Sequence, residues 1–130
     1  MTVRKLTTSD LKFTHPRQEH LMRVLRKKTA EYQKRGQTHY TLNGMSTSHL
    51  VLKCLEDADT MYSFWPTSDQ QWNNEIQQTL YRIGDGTMTK VQSKIRDEIK
   101  KLVAQGYIEE MGNENERRYR PNKDLIGQTL

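Results

Sequence analysis

The side chains that could ligate a metal ion or attack a substrate are few in this 130-residue chain, and they are badly spaced for either chemistry. Gly84-Asp85-Gly86 is too short for a phosphate-binding loop, and no serine lies in a nucleophile-elbow motif. Glu109 and Glu110 are neighbours on a predicted strand, so they point to opposite faces and do not form a catalytic pair. The histidines and the cysteine lack the C-x2-C or H-x3-H spacing of zinc sites: His15, His20, His39, His49 and Cys54. We therefore expect no catalytic residue, no metal, no cofactor and no enzymatic activity.

Basic side chains are the chemistry that the sequence does supply. Lys and Arg number 21 against 16 Asp and Glu, for a formal net charge of +5. Residues 1–35 hold ten basic and three acidic side chains, whereas residues 36–130 hold eleven and thirteen. A basic segment on a nearly neutral body suggests an arm or helix that faces a polyanion, commonly nucleic acid and more rarely a membrane surface.

The composition limits the size of the core and indicates the cellular compartment. Hydrophobic residues make up 33% of the chain, which disfavours a thick α/β core and allows one small domain with an added arm. No apolar run approaches the ~18 residues of a membrane span, and the N-terminus lacks the apolar run of a signal peptide. The single Cys54 cannot form an internal disulfide. These features predict a cytoplasmic protein, associated with the nucleoid in a bacterium or phage and nuclear in a eukaryote.

A basic helix is predicted from about residue 15 to residue 35. Pro16 suits the first helical position, and Gly36 can end the helix. One face carries an apolar stripe that includes Leu21, Leu25 and Tyr32. The opposite side carries the candidate phosphate contacts Arg23, Arg26, Lys27 and Lys34. Three roles stay open: a support helix that packs on the domain through its stripe, a dimerisation arm, or a clamp on phosphates.

The middle of the chain predicts short elements around two helices. Residues 37–45 favour a loop or short strand with a turn at Asn43-Gly44. Residues 46–48 can cap a helix that should end near Asp59. Residues 61–65 are β-prone and aromatic, which favours a short strand or a packed loop. A further helix from about residue 67 is expected to carry Trp72 into the core and to end at the turn 84–86.

The clearest periodicity lies in the C-terminal third. Thr87 can cap a helix that ends at Gly106. Its apolar stripe consists of Met88, Val91, Ile95, Ile99, Leu102 and Val103. The facing arc consists of Thr89, Lys90, Ser93, Lys94, Asp97, Lys100 and Lys101. Two strands at 107–111 and 117–120 flank a polar loop and predict a hairpin, with Ile108 and Tyr119 closing the core. Residues 122–130 are expected to fray.

This order of elements resembles the winged helix-turn-helix family. The resemblance is carried by Ile95…Ile99…Leu102-Val103-Ala104-Gln105-Gly106-Tyr107-Ile108-Glu109, the loop that follows, and Arg117-Arg118-Tyr119-Arg120. The fold that it implies is mainly α with a small β-hairpin: a winged helix-turn-helix domain with an added N-terminal basic helix. We expect a basic arm and helix at 1–45, the winged domain at 46–121 and a flexible tail at 122–130. A residue without a Cβ at Gly106 permits the sharp turn into the hairpin.

The resemblance also implies a DNA-binding surface. In this family the third helix often enters the major groove, and the wing contacts the phosphate backbone or the minor groove. The implied groove residues are Thr87, Thr89, Lys90, Ser93 and Lys94, and the implied wing residues are Asn113, Asn115, Arg117, Arg118 and Arg120. Carboxylates oppose this role, since Asp97 lies in the exposed arc and Glu114 and Glu116 lie at the wing tip. Cross-strand pairing with Glu109 and Glu110 is an alternative role for the three arginines.

We therefore expect a protein that binds double-stranded DNA and acts as a transcription regulator or an accessory factor of DNA transactions. A homodimer is expected because one such module buries too little surface for tight specific binding. Two alternatives stay open: a winged-helix module that docks on a protein partner, such as a nucleic-acid enzyme, and RNA binding by the same fold. No membrane partner is expected.

Overall fold

Helices form most of the structure, and a small three-stranded antiparallel sheet completes it. The computed structural model describes residues 5–64 and 87–128. Its elements are α1 (Pro16–Lys34), α2 (His39–Asn43), β1 (Met45–Ser46), α3 (Thr47–Glu56), α4 (Ala58–Phe64), α5 (Thr87–Ala104), β2 (Ile108–Gly112) and β3 (Arg117–Pro121). The sheet order is β1-β3-β2. The prediction of a mainly α chain with a small β-hairpin is confirmed.

Helix α1 is a central helix of the core. The His15 side chain accepts a hydrogen bond from the Arg17 amide, and Pro16 occupies the first helical position, as its sequence predicted. Leu21, Leu25 and Tyr32 are buried. The helix packs against α4, β3, α2 and α5, which is the packing expected of a support helix, and the roles of dimerisation arm and phosphate clamp stay predictions. One hydrophobic core joins residues from both sides of position 46.

Helix α5 and the hairpin lie close to their predicted positions. The apolar stripe is buried at Val91, Ile95, Ile99 and Leu102. Gly106 adopts a φ of 81°, which directs the chain into a hairpin that pairs Glu109 with Arg120 and Glu110 with Tyr119. Ile108 and Tyr119 are buried, as expected. The face of α5 opposite the stripe is therefore fixed outward, beside the hairpin.

A third strand joins the hairpin where the sequence favoured a loop or a short strand. The segment before it is a short helix, α2, and Gly44 follows with a φ of 78°. A Cβ at Gly44 would lie 2.7 Å from the backbone carbonyl of Tyr119, so only glycine permits this close approach. Met45 then pairs with Tyr119 and Ser46 with Arg118. This pairing brings the start of α3 beside β3.

Helix α4 corrects the expectation of a strand or loop near residues 61–65. Helix α3 ends at Glu56, before the predicted Asp59, and a new helix begins at Ala58. The Asp57 carboxylate accepts hydrogen bonds from the amide and the hydroxyl of Thr60 at 3.0 and 3.1 Å. Met61 and Phe64 are buried at a helical spacing. Capping and burial therefore override the β-propensity of this segment.

The C-terminal segment is packed, contrary to the expectation of a frayed tail at 122–130. Leu125 is buried, and the Asn122 side chain caps the short turn Lys123–Leu125. Asp124 and Gln128 make hydrogen bonds to the N-terminal segment. Three predictions lie outside the described residues: the helix from residue 67, the core position of Trp72, and the turn 84–86.

Candidate nucleic-acid interface

The outward side of α5 carries the cations that the sequence placed there, with one addition. Ser93, Lys94, Asp97 and Lys100 are exposed, and so is Arg96, which the sequence analysis did not select. We call these five residues the α5 outer face. The α5 backbone starts at Thr87, but the side chains of Thr87, Thr89 and Lys90 lie outside the described residues, so their roles stay predictions.

The α5 outer face holds more positive than negative charge. Lys94, Arg96 and Lys100 have no ion-pair partner within the part of the chain that the structure describes. Asp97 is the carboxylate among them. Lys101 differs, because its amine lies 3.2 Å from a carboxylate oxygen of Glu98. Three cations free of pairing can meet an anion without first breaking an internal contact.

A buried carboxylate fixes α5 against the first turn of α1. Glu98 is only 2% exposed. It accepts hydrogen bonds from Arg17 at 2.9 Å and from the Gln18 amide at 2.8 Å. Burial alone would raise the pKa of Glu98, but the hydrogen bonds from Gln18, Lys101 and Arg17 outweigh burial and hold the pKa below its usual value. The charged form of Glu98 therefore fixes the position of α5, and with it the position of the outer face.

The hairpin arginines are paired within the protein. Arg117 lies 3.3 Å from Glu110, and Arg120 lies 2.8 Å from Glu109, which are the cross-strand pairs that the sequence offered as an alternative. Arg120 also donates to the Thr41 carbonyl at 3.0 Å. These contacts hold β3 against β2 and α2. Only Arg117, about half exposed, retains the freedom to meet an outside group.

The tip of the hairpin is a structured turn. The Asn113 side chain accepts hydrogen bonds from the amides of Asn115 and Glu116, both at 2.9 Å. Arg118 lies 2.7 Å from Glu116 and donates to the Gly44 carbonyl at 3.2 Å. Asn113 and Arg118 thus serve the turn and the sheet. Asn115 keeps an exposed side chain at the tip.

A cleft lies between the α5 outer face, the start of α3 and β3. Its volume is about 270 Å³, and its lining is Thr47, Arg96, Ile99, Lys100, Arg117 and Tyr119. The cleft depends on the β1–β3 pairing, which places Thr47 beside β3 and which no local sequence pattern predicts. The i,i+4 spacing of Arg96 and Lys100 was the available signal, since it puts both cations on one side of the helix.

The basic side of α1 is separate from the α5 outer face, and one of its predicted residues is misplaced. Lys27 and Lys34 are exposed, as expected, and Arg23 lies 3.9 Å from Asp59. Arg26 was expected on the exposed side, and this was wrong: it is 8% exposed, and its guanidinium lies 3.2 Å from the Thr8 hydroxyl. The N-terminal segment crosses α1 there, which the helical periodicity could not indicate. The described linings of the two cavities beside Arg23 contain no residue of α5 or of the hairpin.

Neither other chemistry nor comparison with known proteins gives a further indication of a role. Among residues 5–64 and 87–128, no group of three His, Cys, Asp or Glu side chains could hold a metal ion. Cys54 is buried, and burial raises the pKa of its thiol. None of the helices in these ranges has the length and apolar character to cross a membrane. No protein-family model, curated protein or solved structure matches the chain.

Proposed function

We propose that the chain is a winged helix-turn-helix protein that binds double-stranded DNA through α5. The observation that carries the proposal is the α5 outer face, where Lys94, Arg96 and Lys100 stand unpaired within the described residues beside the hairpin. An exposed helix with cations and small hydroxyl residues suits the major groove, where Lys and Ser can reach base edges or phosphates. The order α5, sharp glycine turn, hairpin supports the winged assignment.

Each element has its own part in the proposed complex. Helix α5 enters the groove, with Ser93 and Lys94 joined by Thr87, Thr89 and Lys90 from its first turn. The hairpin contributes through Arg117 and Asn115. The exposed cations of α1 add a longer-range attraction that helps the protein approach the duplex. A homodimer provides two such faces, which suits a regulator of transcription or another DNA transaction in the compartment that holds the DNA.

Duplex binding by charge-matched variants tests the proposal. Fluorescence anisotropy with a labelled duplex at low salt should show that Lys90→Ala with Lys94→Ala weakens binding. The control is Lys12→Ala with Lys123→Ala, which removes the same charge from exposed positions outside α5 and the hairpin. We expect the control to bind nearly as the unaltered chain does when the comparison is repeated at about 0.15 M salt, where the Debye length is about 8 Å and distant exposed charges are screened. Failure of the unaltered protein to bind any duplex at low salt would end the proposal.

A protein-docking role is the second candidate, and the hairpin favours it. Its arginines are paired with carboxylates and carbonyl groups of the protein itself, so the wing offers little positive charge to DNA. Leu42, 62% exposed beside this sheet, offers an apolar contact. A stoichiometric protein partner that stays bound after nuclease treatment would support docking. Displacement of the duplex probe by RNA at a much lower concentration than by unlabelled duplex DNA would instead identify RNA binding by the same face.

A further inference from the structure

We infer that the cleft between α5, α3 and β3 is a binding site for one backbone phosphate of the duplex. The inference rests on the proposed DNA binding and adds a phosphate contact that lies apart from the groove-reading residues. Arg96 and Lys100 of α5 and Arg117 of β3 are three of the six residues that line this cleft of about 270 Å³. Liquid water occupies about 30 Å³ per molecule, so the cleft has room for a phosphodiester group and several waters.

The charges in the cleft are unbalanced without an anion. Among the described residues, Arg96 and Lys100 have no ion-pair partner, and Arg117 has Glu110 at 3.3 Å. Asp97 does not line the cleft. Like charges gathered at one cleft repel, and an anion bound there removes that repulsion. The three side chains supply two guanidinium groups and one ammonium group. Both kinds of group commonly donate hydrogen bonds to phosphate oxygens in proteins.

The floor and one wall of the cleft strengthen its attraction for a phosphate group. Ile99 and Tyr119 form a buried floor, which lowers the local dielectric constant and makes the charge interactions stronger than on open surface. Thr47 is the first residue of the ten-residue helix α3. Its side-chain hydroxyl can donate a hydrogen bond to a phosphate oxygen.

The position of the cleft suits a phosphate and not a base edge. Arg96 and Lys100 lie in the second half of α5, whereas the residues proposed to read bases lie in its first half. The cleft is also bordered by β3, at the base of the hairpin. A phosphate held there would fix how deeply α5 enters the groove and how it is rotated, without carrying sequence information.

The test compares duplex binding by Arg96→Ala with Lys100→Ala and by the control Lys12→Ala with Lys123→Ala. We expect the cleft variant to weaken binding roughly tenfold or more. The slope of log K against log salt should also fall by about one for each phosphate that the variant no longer neutralises, and the weakening should be the same for unrelated duplex sequences. The control should keep the slope of the unaltered chain.

A second experiment adds duplex DNA or inorganic phosphate to the unaltered protein and follows the Thr47 amide and the Arg96 side chain by nitrogen-15 NMR. Both signals should shift when the duplex binds, and inorganic phosphate should compete with the duplex for the cleft. A cleft variant that matches the control on every duplex would overturn the inference and leave DNA binding intact. Absence of duplex binding by the unaltered chain would overturn both proposals. Cleft signals that move with inorganic phosphate, in a chain that binds no duplex, would identify a free-anion site instead.

Discussion

Among single residues, Glu98 shows how a buried charge can fix the position of a helix that carries an exposed surface. Its carboxylate is almost inaccessible, yet its partners Arg17 and Lys101 reach solvent. Such a group stabilises a fold only while its hydrogen bonds are complete, because a buried polar group without a partner is costly. Here the partners come from α1 and from α5 itself, so the contact sets how α5 sits on the core.

Replacement of Glu98 by alanine should therefore destabilise the protein. The change leaves the buried Gln18 amide and the Arg17 guanidinium without their acceptor, and we expect a loss of about 2–3 kcal/mol in the free energy of unfolding. Urea denaturation measures it. Glu114→Ala is the matched control, because Glu114 is exposed at the hairpin tip and should cost less than about 0.5 kcal/mol. Equal midpoints for the two variants would refute a structural role for Glu98.

The pH dependence of this contribution has a definite sign. The pKa of Glu98 is lower in the folded protein than its ordinary value of 4.5, so its stabilisation is complete above pH 4.5 and is lost as the pH falls through the folded pKa. The gap in stability between the unaltered chain and Glu98→Gln should thus be constant near neutral pH and shrink below pH 4.5. Glu109, whose pKa is also lowered, remains in both proteins and cancels. A gap that widens on acidification would contradict the assignment.

Helix α4 shows at the scale of an element how a single cap decides between structures. Asp57→Ala should cost about 1–2 kcal/mol, since it removes the cap and leaves the buried Thr60 hydroxyl without its acceptor. Asp57→Asn should restore most of the loss, because asparagine caps nearly as well. Asp59→Ala, at an exposed neighbouring position, is the control. Thermal melts followed by circular dichroism measure all three, and an equal loss in Asp57→Asn and Asp57→Ala would argue against capping.

Helices with an apolar stripe over several turns were predictable from the sequence, and elements that depend on residues distant in sequence were not. The stripes of α1 and α5 are buried as expected, because burial of one helical face is a local property of the sequence. Strand β1 contains two residues and depends on Gly44 meeting the Tyr119 backbone. No local pattern indicates such a partner. The same limit explains the candidate site: Lys94 and Ser93 were foreseen on α5, whereas the cleft that adds Arg96 and Thr47 required the pairing of β1 with β3.

The whole molecule is joined at its two described ends, which lie more than one hundred residues apart in sequence. The Leu6 amide donates to the Asp124 carboxylate at 3.0 Å, and the Thr8 amide donates to the Gln128 side chain, also at 3.0 Å. Gln128 returns a hydrogen bond to the Leu6 carbonyl at 2.9 Å. We call these contacts the terminal clasp. They place the N-terminal segment where its Thr8 hydroxyl meets Arg26, so the clasp accounts for the burial of an arginine that the sequence had assigned to DNA.

Breaking the terminal clasp should loosen the ends and leave the DNA-facing side in place. In Gln128→Ala the Thr8 amide loses its acceptor, so hydrogen exchange at Thr8 should become faster than in the unaltered chain, with exchange in α5 unchanged. The free energy of unfolding should fall by about 1 kcal/mol. Lys123→Ala changes an exposed side chain of the same segment and should leave exchange at Thr8 as it was.

Because α5 contacts α1, α3, α4 and β2, its outer face does not depend on the clasp, and duplex binding by Gln128→Ala should match that of the unaltered chain. Rapid exchange of Thr8 in the unaltered protein would mean that the ends are not joined in solution, and it would contradict the clasp.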